Sequence, residues 1–365
     1  MTHRERVITA LNHEEPDHPP FQATFTPEFA NRLRKHLGIP EKFSEPHHRE
    51  WYGYDLELLT GHDALQAGVG WFTNYYLKNE PYTDAWGVKW RIDPYDTPFG
   101  SGIYTNLDGG PLAGDAPDIE NYKAPDPNAP GLYDHVERLV RDYKSEYYII
   151  GRVHCCVFES AWALRGFANL LEDLYLEPER AARLLDITMN HHLEVAKNMA
   201  RRGVDMIWLG DDFGVQTSML MSPVKWNEVF KPRYAAMCAA IKNINPKIKI
   251  AYHSDGCIYG IIPGLIEAGV EVLNPVQTEC MDPERLKKEY GKNLCFFGGV
   301  AVQSTLPQGT PRQIRDEYAW LKNSLGAGGG WICAPTHHVQ QDTPVENYLE
   351  LARCATAQSS MLSTP

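Results

Sequence analysis

What the chain lacks narrows its function before anything is read from what it contains. It has no strongly basic stretch to offset a formal net charge of −12, which argues against a nucleic-acid footprint. Its longest positive cluster, Arg32-Leu-Arg-Lys-His, reads as one face of a helix. No apolar run is long enough to span a bilayer, and the opening Met-Thr-His-Arg-Glu-Arg carries no apolar signal core. No CxxC occurs among the eight cysteines, which are scattered, so they read as reduced thiols rather than a disulfide framework. The expectation is a cytoplasmic protein with no nucleic-acid or membrane partner. Nucleotide signatures are missing too: there is no GxGxxG after the first strand and no GxxxxGK[ST]. The Gly-rich run at 326–330 precedes a strand rather than a helix, so it reads as a turn. A GxSxG nucleophile elbow is also absent.

What is present is an alternation of apolar, strand-like runs with helical periodicity. At 365 residues with 43% hydrophobic content, the chain can hold two ordinary domains or one barrel-type domain with insertions. Strand candidates are 21–25, 64–72, 147–153, 204–212, 247–253, 270–276, 294–298 and 330–335. Helical spacing predicts helices over 2–12, with Thr2 as N-cap, and over 27–37, 132–144, 167–176, 178–202, 223–243, 258–268, 282–290, 311–325 and 345–357. Eight strands separated by helices predict one (β/α)8 (TIM) barrel domain over 1–365; an open doubly wound sheet is the competing architecture. Residues 71–130 break the pattern, being rich in Tyr, Trp, Pro, Gly and Asp. There, 84–92 alternates like a hairpin strand and 102–105 is its candidate partner. Such a length reads as an insertion or lid, or else as a surface hairpin that packs its own Trp residues.

In a parallel β/α protein the C-terminal strand ends face one side, where ligands bind. The chemically able residues fall at those ends. His253 is followed by Ser254, Asp255 and Gly256; its imidazole suits acid–base work or metal ligation, unless it is structural. Asp211 and Asp212 are adjacent, so a continuing strand can turn only one inward; the alternative is a helix N-cap. Asn274 and Gln277 suit hydrogen bonding to a polar ligand, or turn chemistry around Pro275. His154 and Glu159 follow the third strand, Glu159 being a proton carrier, a metal ligand or a solvated helix start. His337 and His338 follow Cys333, which reads as a small core residue.

Several segments carry a resemblance. They are Arg4-Glu-Arg-Val-Ile-Thr-Ala-Leu-Asn-His-Glu-Glu-Pro-Asp-His-Pro-Pro, Gly210-Asp-Asp-Phe-Gly-Val-Gln, Met221-Ser-Pro-Val-Lys-Trp, His253-Ser-Asp-Gly, Phe297-Gly-Gly-Val and Asp342-Thr-Pro-Val-Glu-Asn. In order and over nearly the whole length, they resemble the uroporphyrinogen decarboxylase superfamily, which includes the corrinoid-linked methyltransferases. The resemblance implies a (β/α)8 barrel with its site at the C-terminal strand ends. The decarboxylases themselves carry an Arg-Gln-Ala-Gly-Arg-Tyr-type segment; here Phe21-Gln-Ala-Thr-Phe-Thr has neither Arg, so porphyrinogen decarboxylation is not expected. The zinc methyltransferases carry a His-x-Cys pair and a later Cys. Here His253 matches the His, Asp255 replaces the first Cys, and His337 falls near the later one.

The set looks most like the substrate-side methyltransferases of O-demethylase systems. These move a methyl group from a methoxylated, often aromatic, compound to cobalamin on a corrinoid protein. The implied site has His253, Asp255 and His337 holding zinc or forming a proton-donating cluster, with Asp212 and Glu159 tuning it. Asn274, Gln277, His154, His338 and Trp86 would contact substrate. The expected partners are a corrinoid protein and a small methoxylated compound, with a homodimer as an open assembly state. The rival readings are a decarboxylase acting on another substrate and a non-enzymatic tetrapyrrole- or corrinoid-binding protein.

Overall fold

A computed structural model describes residues 1–40, 54–69 and 80–356, with the His154 side chain outside that description. Helix α1 (His3–Leu11) opens with the expected cap: the Thr2 side chain accepts from Glu5 N, and Glu5 returns a bond to the Thr2 backbone. Helices α2 (Pro27–His36) and α3 (Asp55–Leu59) lead to β1 (Ala64–Gly68). Strands β2 (Tyr82–Thr83), β3 (Lys89–Thr97) and β4 (Gly100–Gly109) form a separate antiparallel sheet. From there helices and strands alternate: α4 (Asp134–Tyr143), β5 (Tyr148–His154), α5 (Phe158–Arg165), α6 (Phe167–Leu176), α7 (Pro178–Arg201) and β6 (Met206–Gly210). Next come α8 (Pro223–Val229), α9 (Lys231–Ile244), β7 (Lys249–His253), α10 (Ile262–Ala268), β8 (Val272–Asn274) and α11 (Pro283–Tyr290). The chain continues through β9 (Cys295–Val300), α12 (Thr305–Gln308), α13 (Pro311–Ser324), β10 (Trp331–Pro335) and α14 (Val345–Thr356).

Seven of these strands make one parallel sheet in the order β1-β5-β6-β7-β8-β9-β10. Each overlaps a run that the sequence marks as a strand; β5 runs one residue past 147–153 and β9 two residues past 294–298. The exception is 21–25, expected as the first strand, which joins the sheet only through isolated parallel bridges from Phe21 to Cys333 and from Phe25 to Val339. The reason lies in where its amides go. The Phe21 N–H donates to the Asp63 carboxylate (2.8 Å) and the Ala23 N–H to His62 Nδ1 (3.5 Å), so side chains take the bonds that a ladder to β1 would use. The expected helix over 223–243 is interrupted at Phe230, and that over 258–268 begins as a short 3-10 turn.

The strand period of two sorts side chains between the sheet's faces. Tyr148 and Ile150, Met206 and Trp208, Ala251, Val272, Cys295 and Phe297, Ile332 and Ala334 form one buried cluster together with Val7 and Leu11 of α1. Alternate residues such as Ile149, Ile207 and Ile250 pack into the larger cluster that includes the helices. Helix α1 is tied to the N-terminal side of the strands: Arg4 pairs with Asp205, just before β6, and Arg6 with Asp63, just before β1. That leaves the C-terminal strand ends for chemistry.

The expected hairpin is present, with Tyr95 opposite Gly102 and Ile92 opposite Thr105; residues 71–79, the start of the expected insertion, lie outside the described residues. Asp84 organises its base. Its carboxylate accepts from the Trp86 and Val88 amides (2.8 and 3.0 Å) and from Trp90 Nε1 (2.7 Å). Trp86 and Trp90 are both buried. Among the described residues no helix is long and apolar enough to cross a membrane. All eight cysteines are free.

Candidate active site

The sheet's register lines up the residues that matter. Gly210, His253 and Asn274 end β6, β7 and β8 and pair across the ladder as neighbours. Gly210 is required there: a Cβ would lie 2.2 Å from the His253 carbonyl oxygen and 2.8 Å from its Cβ. After β7 the chain turns at Gly256, whose φ is +78° and whose backbone lies so close to Gly214 that a Cβ would meet it at 2.6 Å. Gln277 fixes this turn by accepting from the Gly256 N–H (3.0 Å), and the Ser254 hydroxyl accepts from the Phe213 N–H (3.0 Å).

Within that frame Asp212, His253 and Asp255 converge, each offering one donor atom within 4.8 Å of the others. His253 Nε2 lies 3.8 Å from Asp212 Oδ1 and 3.9 Å from Asp255 Oδ1. The neighbouring amide determines which ring nitrogen carries the proton. Asn274 Nδ2 donates to the Phe297 carbonyl (2.8 Å), which leaves Oδ1 toward His253 Nδ1 at 2.6 Å. An oxygen there accepts, so Nδ1 donates, and in the neutral ring it is Nε2 that carries the lone pair on the side of the two carboxylates. Asp212 Oδ1 also accepts the Asp255 amide at 2.8 Å, which holds the two acids in register.

The adjacent aspartates divide their work. Asp211 turns away, its carboxylate accepting from the Val157 and Glu159 amides (2.9 and 2.8 Å) and from the Tyr234 hydroxyl; it anchors the start of α5. That anchoring brings Glu159 to the cluster, where its carboxylate accepts the Asp212 amide (3.3 Å). Burial, followed by the charges of Asp212 and Asp211, holds the Glu159 carboxyl well above the usual range, which favours its protonated form. Burial and then Asp255 raise Asp212 to about 6. The turn between β5 and α5 places Cys155 at φ 56°, an uncommon conformation for a residue with a side chain.

The other expected residues fall as follows. His337 lies outside the converging triad, with Asp212 in the position the sequence reading gave it. Burial lowers its pKa, while Asp255 acts on it in the opposite sense. With His338, 4.9 Å away ring to ring, it lines a small cavity beside His253. Asn274 is buried and sets the His253 tautomer, whereas Gln277 holds the following turn. Trp86 is not brought to the cluster: its ring stacks on His192 of α7 at 5.3 Å. His154 ends β5 by its backbone.

Sequence reasoning passed over three residues. Arg152 and Trp208 line the cavity from the inner faces of β5 and β6, with the guanidinium 5.4 Å from the indole. Continuing the two-residue period from Ile150 and Met206 would have turned both inward. Tyr104, from the hairpin, stands near the acids: burial and then Asp255, Asp212 and Glu159 raise its phenol. No local pattern announces a residue that reaches the site from another sheet.

No curated protein matches this chain. Among solved structures, a methyltransferase from Methanosarcina mazei superposes with a TM-score of 0.72 at 19% identity, over 98% of this chain and 99% of that one. A B12-independent methionine synthase from Shewanella sp. W3-18-1 superposes with a TM-score of 0.47 at 11% identity, over 82% of this chain and 83% of that one. The first of these shows a shared fold along the whole length. The uroporphyrinogen decarboxylase (URO-D) family model matches residues 98–358, which contain the triad, Glu159 and the strand ends that carry them. This chain therefore belongs to the uroporphyrinogen decarboxylase family.

Proposed function

We propose that the protein is a methyltransferase that takes a methyl group from a methoxylated, aromatic donor and gives it to the cobalt of a corrinoid held by a partner protein. The observation that carries this reading is the convergence of Asp212, His253 and Asp255 around one point, with the tautomer of His253 set by Asn274. Four-coordinate zinc with ligands near 2.0–2.1 Å needs donor atoms roughly 3.3 Å apart. The observed 3.8 and 3.9 Å close to that with small side-chain rotations. One imidazole and two carboxylates are also a chemically suitable donor set, so the residues fit a divalent cation.

A zinc ion bound there would supply a Lewis acid for the ether oxygen, which is otherwise a poor leaving group. The chain's own residues do the rest. Asn274 keeps Nε2 unprotonated and aimed inward. Glu159 holds a proton beside Asp212, available to the oxide as the methyl–oxygen bond breaks and its electron pair stays on oxygen. The Co(I) corrinoid, as acceptor substrate, supplies the pair for the new cobalt–carbon bond. Segment 20–26 takes the eighth position of a (β/α)8 barrel in this reading, and the β3–β4 hairpin with Tyr104 acts as a lid. Cavity-lining His337 and His338 contact the donor. The family membership and the methyltransferase-like fold support the assignment. In the test, His253→Ala keeps its fold, judged by circular dichroism and thermal midpoint, and loses methylcobalamin formation. Unchanged turnover in that variant would overturn the assignment.

A further inference from the structure

The cavity beside His253 has a chemistry of its own. It measures about 40 Å³, and its polar walls include Arg152, Trp208, Thr336, His337 and Gln22. Arg152, Trp208 and Thr336 are each more than nine-tenths buried. Two of them bring hydrogen-bonding atoms that no protein group satisfies: Trp208 Nε1 and Thr336 Oγ1 are buried and without a partner. A buried indole N–H left unmet costs about 1–3 kcal/mol, so a ligand or water that accepts from it is favoured. Arg152 is held in place from behind, with Nη1 donating to Gln66 Oε1 at 3.0 Å and the guanidinium lying 5.4 Å from the Trp208 ring. No carboxylate lines this cavity among the described residues.

Asp212 and Asp255 lie 3.8 and 3.9 Å from His253 Nε2, but neither lines this cavity. Its wall instead includes Trp208, 5.7 Å from the imidazole ring to ring, together with Arg152 and Thr336. The cavity holds a group of a few heavy atoms, not an aromatic ring. Walls that carry a guanidinium, an unmet indole N–H and an unmet hydroxyl around a space of that size suit a small anion with two acceptor oxygens, which a guanidinium recognises well.

We infer that this cavity is a carboxylate subsite, so that the methyl donor is an acid whose carboxylate enters toward Arg152, Trp208 Nε1 and Thr336 while its methoxy group faces the Asp212–His253–Asp255 cluster. This rests on the methyl-transfer reading for the methoxy end only; the subsite itself is defined by binding. It makes the donor a methoxylated carboxylic acid rather than a neutral methoxyarene, with its ring beneath the hairpin.

The test uses the full chain and calorimetric titration with 3-methoxybenzoate and its neutral isostere 3-methoxybenzamide. The acid is expected to bind at least about tenfold more tightly than the amide. Trp208→Phe keeps the ring and deletes the N–H; it should weaken the acid by about three- to tenfold and leave the amide unchanged. Arg152→Gln should abolish the preference. Equal affinity for acid and amide, no binding of the acid, or an unchanged preference in Trp208→Phe would overturn the subsite. A buried water cluster alone would give that pattern. Binding with the expected preference but without methylcobalamin formation would keep the subsite and refute the reaction. Methyl transfer from neutral donors alone, with acids inert, would do the reverse.

Discussion

Removing the acceptor from His253 Nδ1 tests how the site is built. In Asn274→Ala the 2.6 Å bond to His253 and the 2.8 Å bond to the Phe297 carbonyl both disappear. The imidazole is largely buried, so its Nδ1–H is left in a place where an unmet donor costs about 1–3 kcal/mol. The ring relieves that cost by moving its proton to Nε2, which removes the lone pair facing Asp212 and Asp255. A bound cation must then pay the tautomer back, and outer partners of metal-bound histidines are typically worth about 10–100-fold in affinity. Zinc affinity in Asn274→Ala should therefore fall by about that factor, measured by competition with a chromophoric chelator. Asn274→Asp keeps the acceptor and should bind at least as tightly as the native protein. Native affinity in Asn274→Ala with an unchanged thermal midpoint would refute the tautomer argument. So would equal weakening by both substitutions.

Other expectations follow from particular contacts. Gly210→Ala places a methyl group 2.2 Å from the His253 carbonyl, so the ends of β6 and β7 must part. A loss of about 1–3 kcal/mol in chemical denaturation, with weakened zinc binding, is expected, and an unperturbed variant would contradict the register described. His191 and His192, packed against Trp86, are pushed by burial down to about 4 and about 3. Unfolded histidines protonate near 6.5, so the unfolded state binds more protons in the window between. The stability tied to these neutral rings is present above pH 6.5 and is lost as pH falls toward 4, by up to about 1.4 kcal/mol per pH unit for each ring. His192→Gln should lose less stability between pH 7 and pH 5 than the native protein, and equal losses would contradict the assignment.

Much of this was legible because strands in a parallel sheet announce themselves twice, as apolar runs and by the polar residues that end them. Met206–Gly210 followed by two aspartates, and Lys249–His253 followed by Ser-Asp-Gly, mark in the sequence the strand ends where Asp212, His253 and Asp255 come together. The sequence could show that only one of Asp211 and Asp212 faces inward. It could not show which, because Asp211 is drawn away by the Val157 and Glu159 amides and by Tyr234, all remote in the chain or set by the fold. His337 and Asp212 were likewise indistinguishable as donors, since their separation from His253 is a matter of loop path. Segment 21–25 reads as a strand by composition, yet Asp63 and His62 intercept its amides. Trp86 shows the limit of aromatic composition, which does not distinguish a ring that covers a ligand from one that stacks on a buried histidine.

Single-turnover methylcobalamin formation from cob(I)alamin and a methoxylated aromatic donor is the decisive measurement. The native protein would be assayed as zinc-loaded, as chelator-stripped, and as stripped then reloaded. Full activity is expected when loaded, near loss when stripped, and recovery on reloading. Equal methylation by stripped and loaded protein would show that Asp212, His253 and Asp255 act without a metal, and no methylcobalamin in any state would contradict the methyltransferase itself.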